Sequence, residues 1–130
     1  SGGLYGLSSS SGAVLWRQAE LTGVTAMARS GRSLVLSSAD QGLVCVDLEQ
    51  RRIRWQRSFA RGAPGEPVIS GRTVFVGESE GAFLALSLDS GKEISRLEYG
   101  NGFSAPATVA RGRGFVLSDG GTLFAFSYGY

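Results

Sequence analysis

The sequence predicts an all-β fold of β-propeller blades, each made of four short antiparallel strands, and three observations predict it. Gly31-Arg32-Ser33-Leu34-Val35-Leu36 returns as Gly71-Arg72-Thr73-Val74-Phe75-Val76 and as Gly112-Arg113-Gly114-Phe115-Val116-Leu117, at spacings of 40 and 41 residues. A second register keeps the step: Leu4-Tyr5-Gly6-Leu7, Leu43-Val44-Cys45-Val46, Phe83-Leu84-Ala85-Leu86 and Leu123-Phe124-Ala125-Phe126 follow one another at 39, 40 and 40. Trp16 and Trp55 are also 39 apart, and Ser95 holds the third equivalent place. Within each period, short runs rich in β-branched and aromatic residues lie between Gly, Ser, Asp and Glu, as strands lie between turns. No apolar stripe of helical spacing persists over three turns. Four-stranded units at this period describe a propeller better than a sandwich or barrel, and the coils of a β-helix are shorter.

With the strands of a blade lettered A to D in chain order, residues 1–22 end a blade, with C at 3–8 and D at 13–19. Residues 23–62 form a complete blade, with A at 24–28, B at 33–38, C at 43–48 and D at 52–58. The blade at 63–102 has A at 66–70, B at 73–78, C at 82–88 and D at 93–98. In the last of these, Ser95, Leu97 and Tyr99 share one face while Ile94, Arg96 and Glu98 share the other, the period-2 pattern of a strand. The last unit, 103–130, offers A at 104–110, B at 114–118 and C at 122–127. Pro106 falls there at a strand start, where a missing N–H is tolerated. The 130 residues amount to roughly three and a quarter blades, against four to eight in a closed ring. A partial propeller is therefore expected, with open sheet edges and apolar blade faces that favour self-association.

Composition narrows the chemistry. The chain has no His, which removes Ser-His-Asp triads and His-ligated metals. Cys45 is the single cysteine, so there is no internal disulfide and no CxxC site. Among Leu43, Val44 and Val46 it reads as a small buried apolar residue. Thirteen Lys and Arg against eleven Asp and Glu give a net charge of +2, too small to argue for nucleic acid. No apolar run approaches the roughly 20 residues of a membrane span. The opening Ser1-Gly2-Gly3 lacks the regions of a secretion signal and reads as a mature or cut start.

The remaining candidates are turn residues and charges. Asp40, Glu78, Glu80 and Asp119 all lie near B–C turns, where carboxylates satisfy backbone donors; no further acids complete a calcium loop. Arg61-Gly62-Ala63-Pro64-Gly65 and Gly112-Arg113-Gly114 lack the spacing of phosphate loops. Ser8 to Ser11 has no base to activate a hydroxyl. Arg29, Arg32, Arg72, Arg111 and Arg113 flank A–B turns, so a propeller sets them along one rim; a solvated rim that aids solubility is the plainer reading, and an acidic partner or anionic lipid head groups are what such a stripe would meet. Arg51, Arg52, Arg54, Arg57 and Arg61 lie on and after one D strand, where charge blunts an edge.

Gly2-Gly3-Leu4-Tyr5-Gly6-Leu7 followed by Ser11-Gly12-Ala13-Val14-Leu15-Trp16 resembles the tryptophan-docking repeat of quinoprotein (PQQ-like) propellers. That pattern runs roughly Gly-x-Leu-Tyr-Ala-Leu-Asp, a Thr-Gly turn, then Lys-x-x-Trp. Gly81 to Ser95 matches through Leu84-Ala85-Leu86 and Ser90-Gly91-Lys92 but has Ser95 for the Trp. Gln41 to Trp55 keeps Asp47 and the Trp, with Gln50-Arg51 for Thr-Gly. The resemblance implies that Trp16 and Trp55 pack over the neighbouring blade's turn and tie blades together. Over the last 65 residues, Gly77-Glu78-Ser79-Glu80-Gly81-Ala82-Phe83-Leu84, Asn101-Gly102-Phe103-Ser104-Ala105-Pro106 and Asp119-Gly120-Gly121-Thr122-Leu123-Phe124-Ala125-Phe126 are similar to the C-terminal end of the BamB family. These are propeller lipoproteins of the outer-membrane β-barrel assembly machine. Membership would imply a non-catalytic scaffold without cofactors, on the periplasmic side of the outer membrane, docked on the central assembly subunit. The family's lipid-bearing N-terminal Cys has no counterpart here. An extracytoplasmic ligand-sensing domain of a receptor or kinase is the alternative; a fragment of a quinone-dependent dehydrogenase would need calcium-binding carboxylates and a stacking pocket.

Overall fold

In a computed structural model the chain is described for the backbone of Gly6–Leu7 and Val14–Trp16 and for residues 23–59, 61–98 and 102–128. Every regular element among these residues is a strand; none is a helix long and apolar enough to cross a membrane. β1 (Gly6–Leu7) and β2 (Val14–Trp16) form a hairpin. β3 (Val24–Ser30), β4 (Ser33–Ser38), β5 (Gly42–Asp47) and β6 (Arg52–Arg57) make the first four-stranded antiparallel sheet, in chain order. β7 (Val68–Ser70), β8 (Thr73–Gly77), β9 (Phe83–Ser87) and β10 (Glu93–Leu97) make the second. β11 (Thr108–Ala110), β12 (Arg113–Leu117) and β13 (Leu123–Ser127) make a three-stranded sheet. β7 lies against both β3 and β11, so the A strands neighbour one another at the inner ends of successive sheets. This is the arrangement of propeller blades.

The B and C strands start and stop within a residue or so of expectation. Two A strands do not: β7 begins at Val68 and β11 at Thr108, later than 66 and 104. Prolines are the cause, since Pro64, Pro67 and Pro106 have no N–H to give a ladder. The chain pairs piecemeal instead, with an isolated bridge between Pro64 and Glu78 and a 2.9 Å bond from the Gly65 N–H to the Gly77 carbonyl. The repeat register also needs one correction. The A–B turns occupy 31–32, 71–72 and 111–112, so Arg111, not Gly112, stands where Gly31 and Gly71 stand. Arg111 accordingly carries φ +51° in place of the +57° and +61° of those glycines, a left-handed conformation that costs a side chain about 1–2 kcal/mol. The 41-residue spacing was one residue of misalignment. The outer parts expected for the first two strands, and Tyr99, lie outside the described residues.

The core sits between the sheets. In β8, Val74 and Val76 face the first sheet while Phe75 faces the third, by strand alternation. The first seam packs Val35, Leu43, Cys45 and Trp55 against Val74, Val76, Leu84, Leu86 and Leu88. The second packs Phe75, Phe83 and Ala85 against Val116, Phe124, Phe126 and Tyr128, with Phe103 wedged between. Sheets covered on both faces explain the unbroken apolar runs of β4, β5, β8 and β9, each buried aliphatic contributing about 1.5–3 kcal/mol. β10, at the outer edge, is mostly exposed.

Candidate functional site

The first seam is organised by Trp55. Pairing of Trp55 with Cys45 turns its ring to the face that meets the second sheet, where it is 9% exposed. Its indole N–H donates to the Leu88 carbonyl at 2.7 Å. The ring lies over Gly91, whose φ is +75°, and a Cβ there would come within 2.6 Å of it. Gly91 thus serves both a left-handed turn and the close approach of an aromatic ring. Trp16 lies on β2 with its backbone opposite Gly6; its side chain is outside the described residues. Ser95, the third member of the series, lies on β10 opposite Ala85, beside a cavity of about 360 Å³ between the second and third sheets.

The rim arginines differ in their engagement. The Arg29 Nε–H donates to the Gly31 carbonyl of its own turn at 3.0 Å. Arg32 pairs with Glu49 at 2.9 Å and Arg72 with Asp89, both across to the C–D turn of the same blade. Among the described residues Arg111 and Arg113 form no ion pair, and both are exposed. Arg113 continues into an apolar row: Arg113, Phe115 and Leu117 share one face of β12, and Ser127, Ala125 and Leu123 lie opposite them on β13. Phe115, Leu117 and Leu123 are 47%, 46% and 64% exposed.

Two of the arginines on and after β6 reach across to the next sheet. Arg57 reaches Glu93 at 3.2 Å and Arg61 reaches Glu98 at 2.8 Å, both on or just after β10. Arg96 bonds both acids, at 3.1 and 3.4 Å, so five charges run as a chain across the outer edge of the seam. Each exposed pair is worth about 0–1 kcal/mol. The Glu93 carboxylate raises the Arg96 pKa, and Arg61 lowers that of Glu98. Partners 36 and 37 residues apart leave no local signal in the sequence.

Arg54 turns inward to the C–D turn of its own blade. Asp47 Oδ1 accepts the Glu49 and Gln50 backbone N–H groups at 3.0 and 2.9 Å, and Oδ2 accepts from Arg54 at 2.9 Å. The Gln50 N–H foremost, then Arg54, lowers the Asp47 pKa from 3.8 to about 2. A depressed carboxylate favours the fold above its unfolded pKa, and that contribution is lost as pH falls toward the folded value. Asp47→Asn is therefore expected to lower the melting temperature near neutral pH and to flatten its fall between about pH 4 and pH 2. Circular-dichroism melts at several pH values measure this; an acid slope identical to that of the parent chain would refute the role.

Cys45, Glu78 and Asp119 are held in structural contacts. Burial pushes the Cys45 thiol up to about 11, so it stays protonated and weakly nucleophilic near neutrality. Glu78 accepts the Ala82 N–H at 2.9 Å, and Asp119 accepts from the Ser104 N–H and hydroxyl at 3.0 and 2.8 Å. Among the described residues no three acids or thiols group as metal ligands.

The sequence matches the family described as outer membrane protein assembly factor BamB over residues 1–57 and 39–129. No curated protein matches it. Among solved structures it is similar to BamB from Moraxella catarrhalis, with 22% identity and a TM-score of 0.78 over 98% of this chain and 38% of that one. The computationally designed Ika4 protein aligns at 15% identity and a TM-score of 0.73, over 91% of this chain and 74% of that one. A europium-containing methanol dehydrogenase aligns at 16% identity and a TM-score of 0.69, over 80% of this chain and 23% of that one. At such identities these likenesses are of fold. The chain spans well under half the length of the Moraxella protein and of the dehydrogenase.

Proposed function

Because the chain belongs to the family of outer membrane protein assembly factor BamB, we propose that it is part of a non-catalytic scaffold that binds protein partners and assists assembly of β-barrel proteins at the periplasmic side of the outer membrane. The family match over both halves of the chain carries this reading. The chemistry agrees with it: the thiol is buried and protonated, and Asp47, Glu78 and Asp119 are occupied in holding turns. In this scaffold Trp55 is a tie between blades. Arg111 and Arg113, exposed at the A–B turn of the third sheet, are the rim offered to a partner. Phe115 and Leu123 stand one repeat on from Phe75 and Phe83, so they lie on the sheet face that meets a neighbouring blade, and in the isolated chain copies would associate through it.

Co-purification of the full-length protein with the central outer-membrane assembly subunit tests the proposal. Association is expected at low and moderate salt, weakened at least tenfold by Arg111→Glu with Arg113→Glu, since reversing two rim charges opposes an acidic partner. Absence of association at both salt concentrations overturns it.

A further inference from the structure

The 40-residue step maps the first seam onto the second. Val35, Leu43, Cys45 and Trp55 correspond to Phe75, Phe83, Ala85 and Ser95, while Leu84, Leu86 and Leu88 across the seam correspond to Phe124, Phe126 and Tyr128. The pairing is the same at each place, Trp55 lying opposite Cys45 and Ser95 opposite Ala85. In the first seam an indole fills the space between the sheets and gives its N–H to the Leu88 carbonyl. In the second seam a hydroxymethyl group stands in its place. The larger rings of that seam fill part of the difference, and a cavity of about 360 Å³ remains, lined by Phe75, Phe83, Ala85, Ser95, Phe126 and Tyr128 among others.

The rings around it are braced against one another. Phe126 sits 5.2 Å from Phe75 and 5.3 Å from Phe83, and Tyr128 meets Phe75 edge-on at 5.0 Å. The Tyr128 hydroxyl is tied to Ser70 Oγ at 2.8 Å, which fixes its ring from outside the cavity. Walls held in this way resist collapse into the void. Aromatic faces and edges favour another ring at stacking or edge-to-face distance, and an apolar cavity of about 150 Å³ already holds benzene.

We propose that this interblade cavity is a binding site for a free planar aromatic molecule of indole size, seated where Trp55 sits one blade earlier. The preceding seam is the template on which the ligand class rests: the same register on the D strand, the same facing positions on the C strand, and an indole in place; the Gly91 turn beneath that indole has no counterpart among the described residues. The Tyr128 carbonyl, which corresponds to that of Leu88, is the acceptor for a ring N–H. Nothing in this assignment depends on a role in outer-membrane assembly, and either can fail without the other.

Indole itself is the probe, titrated into the whole chain by calorimetry and followed by ligand-observed NMR. Saturable one-to-one binding is expected, with intermolecular NOEs from indole protons to the Ala85 methyl. Ser95→Trp, which supplies the ring covalently, is expected to weaken indole binding at least tenfold, and Ser95→Phe to do so in part. N-acetyltryptophanamide, the same ring carried on a backbone, is expected to bind at least tenfold more weakly than indole. The proposal is overturned if indole does not saturate the parent chain, if its NOEs fall elsewhere, if a folded Ser95→Trp chain binds it unchanged, or if the amide binds as well. Should Ser95→Trp not fold, the NOEs on the parent chain and the Ser95→Phe titration decide alone.

Discussion

Trp55→Ala is expected to destabilise the chain by about 3–5 kcal/mol, the range for deleting a buried tryptophan. Two losses add in the same direction. The ring's contacts with Leu88 and the rest of the first seam disappear, and the Leu88 carbonyl loses its 2.7 Å donor and keeps only the weak Cys45 S–H at 3.8 Å, a poorly satisfied acceptor costing up to about 1–3 kcal/mol if it stays dry. Gly91→Ala separates the ring from the turn beneath it. In the parent chain the added Cβ meets both a left-handed backbone and the indole at 2.6 Å; in the Trp55→Ala background only the backbone strain of about 1–2 kcal/mol remains. Urea denaturation followed by circular dichroism measures both variants and the double mutant. A Trp55→Ala cost below about 1 kcal/mol, or strictly additive effects, would show that the indole is not what holds the two sheets.

Phe103→Ala is expected to cost a similar amount, about 3–5 kcal/mol, at the second seam. Phe103 is 0% exposed although it lies in the loop that leads to β11. Its ring stands 5.7 Å from that of Phe83 and 5.8 Å from that of Phe124, one on each sheet. Its backbone N–H donates to the Glu78 carbonyl at 2.9 Å. Gly77 makes room for it, since a Cβ there would fall 2.6 Å from the Phe103 Cβ. Loss of this wedge should loosen the third sheet before the others, so amide exchange should quicken in β11–β13 first. Uniform acceleration across all sheets would contradict a local role for the ring.

Phe103 also marks the limit of the repeat as a guide. Its counterparts one and two steps back are Ala63 and Gly23, so no periodic signal points to it. Position in the fold makes it a core residue: three sheets diverge from the inner strands, and a ring between the last two fills the gap. Arg111 is the converse case, since identity alone aligned Gly112 with Gly31 and Gly71, whereas hairpin geometry puts Arg111 at the left-handed place. The late starts of β7 and β11 were legible in principle from Pro64, Pro67 and Pro106. The chain of charges from Arg57 to Arg61 was not, because it exists only when two D strands stand side by side.

Strand order, hairpin pairing and the four-stranded unit follow from the sequence alone, because a hairpin joins neighbours in the chain through turn chemistry and period-2 alternation. What the sheets do to one another is different in kind. The Trp55 N–H reaches an acceptor 33 residues away, the Arg57–Glu93 pair spans 36, and Ser70 meets Tyr128 across 58. Such contacts depend on how twisted sheets stack, and no local pattern encodes that. The sequence by itself therefore determined that these are propeller blades. Only the tertiary structure decided that one seam is closed by an indole and that the next, with Ser95 in its place, keeps a cavity.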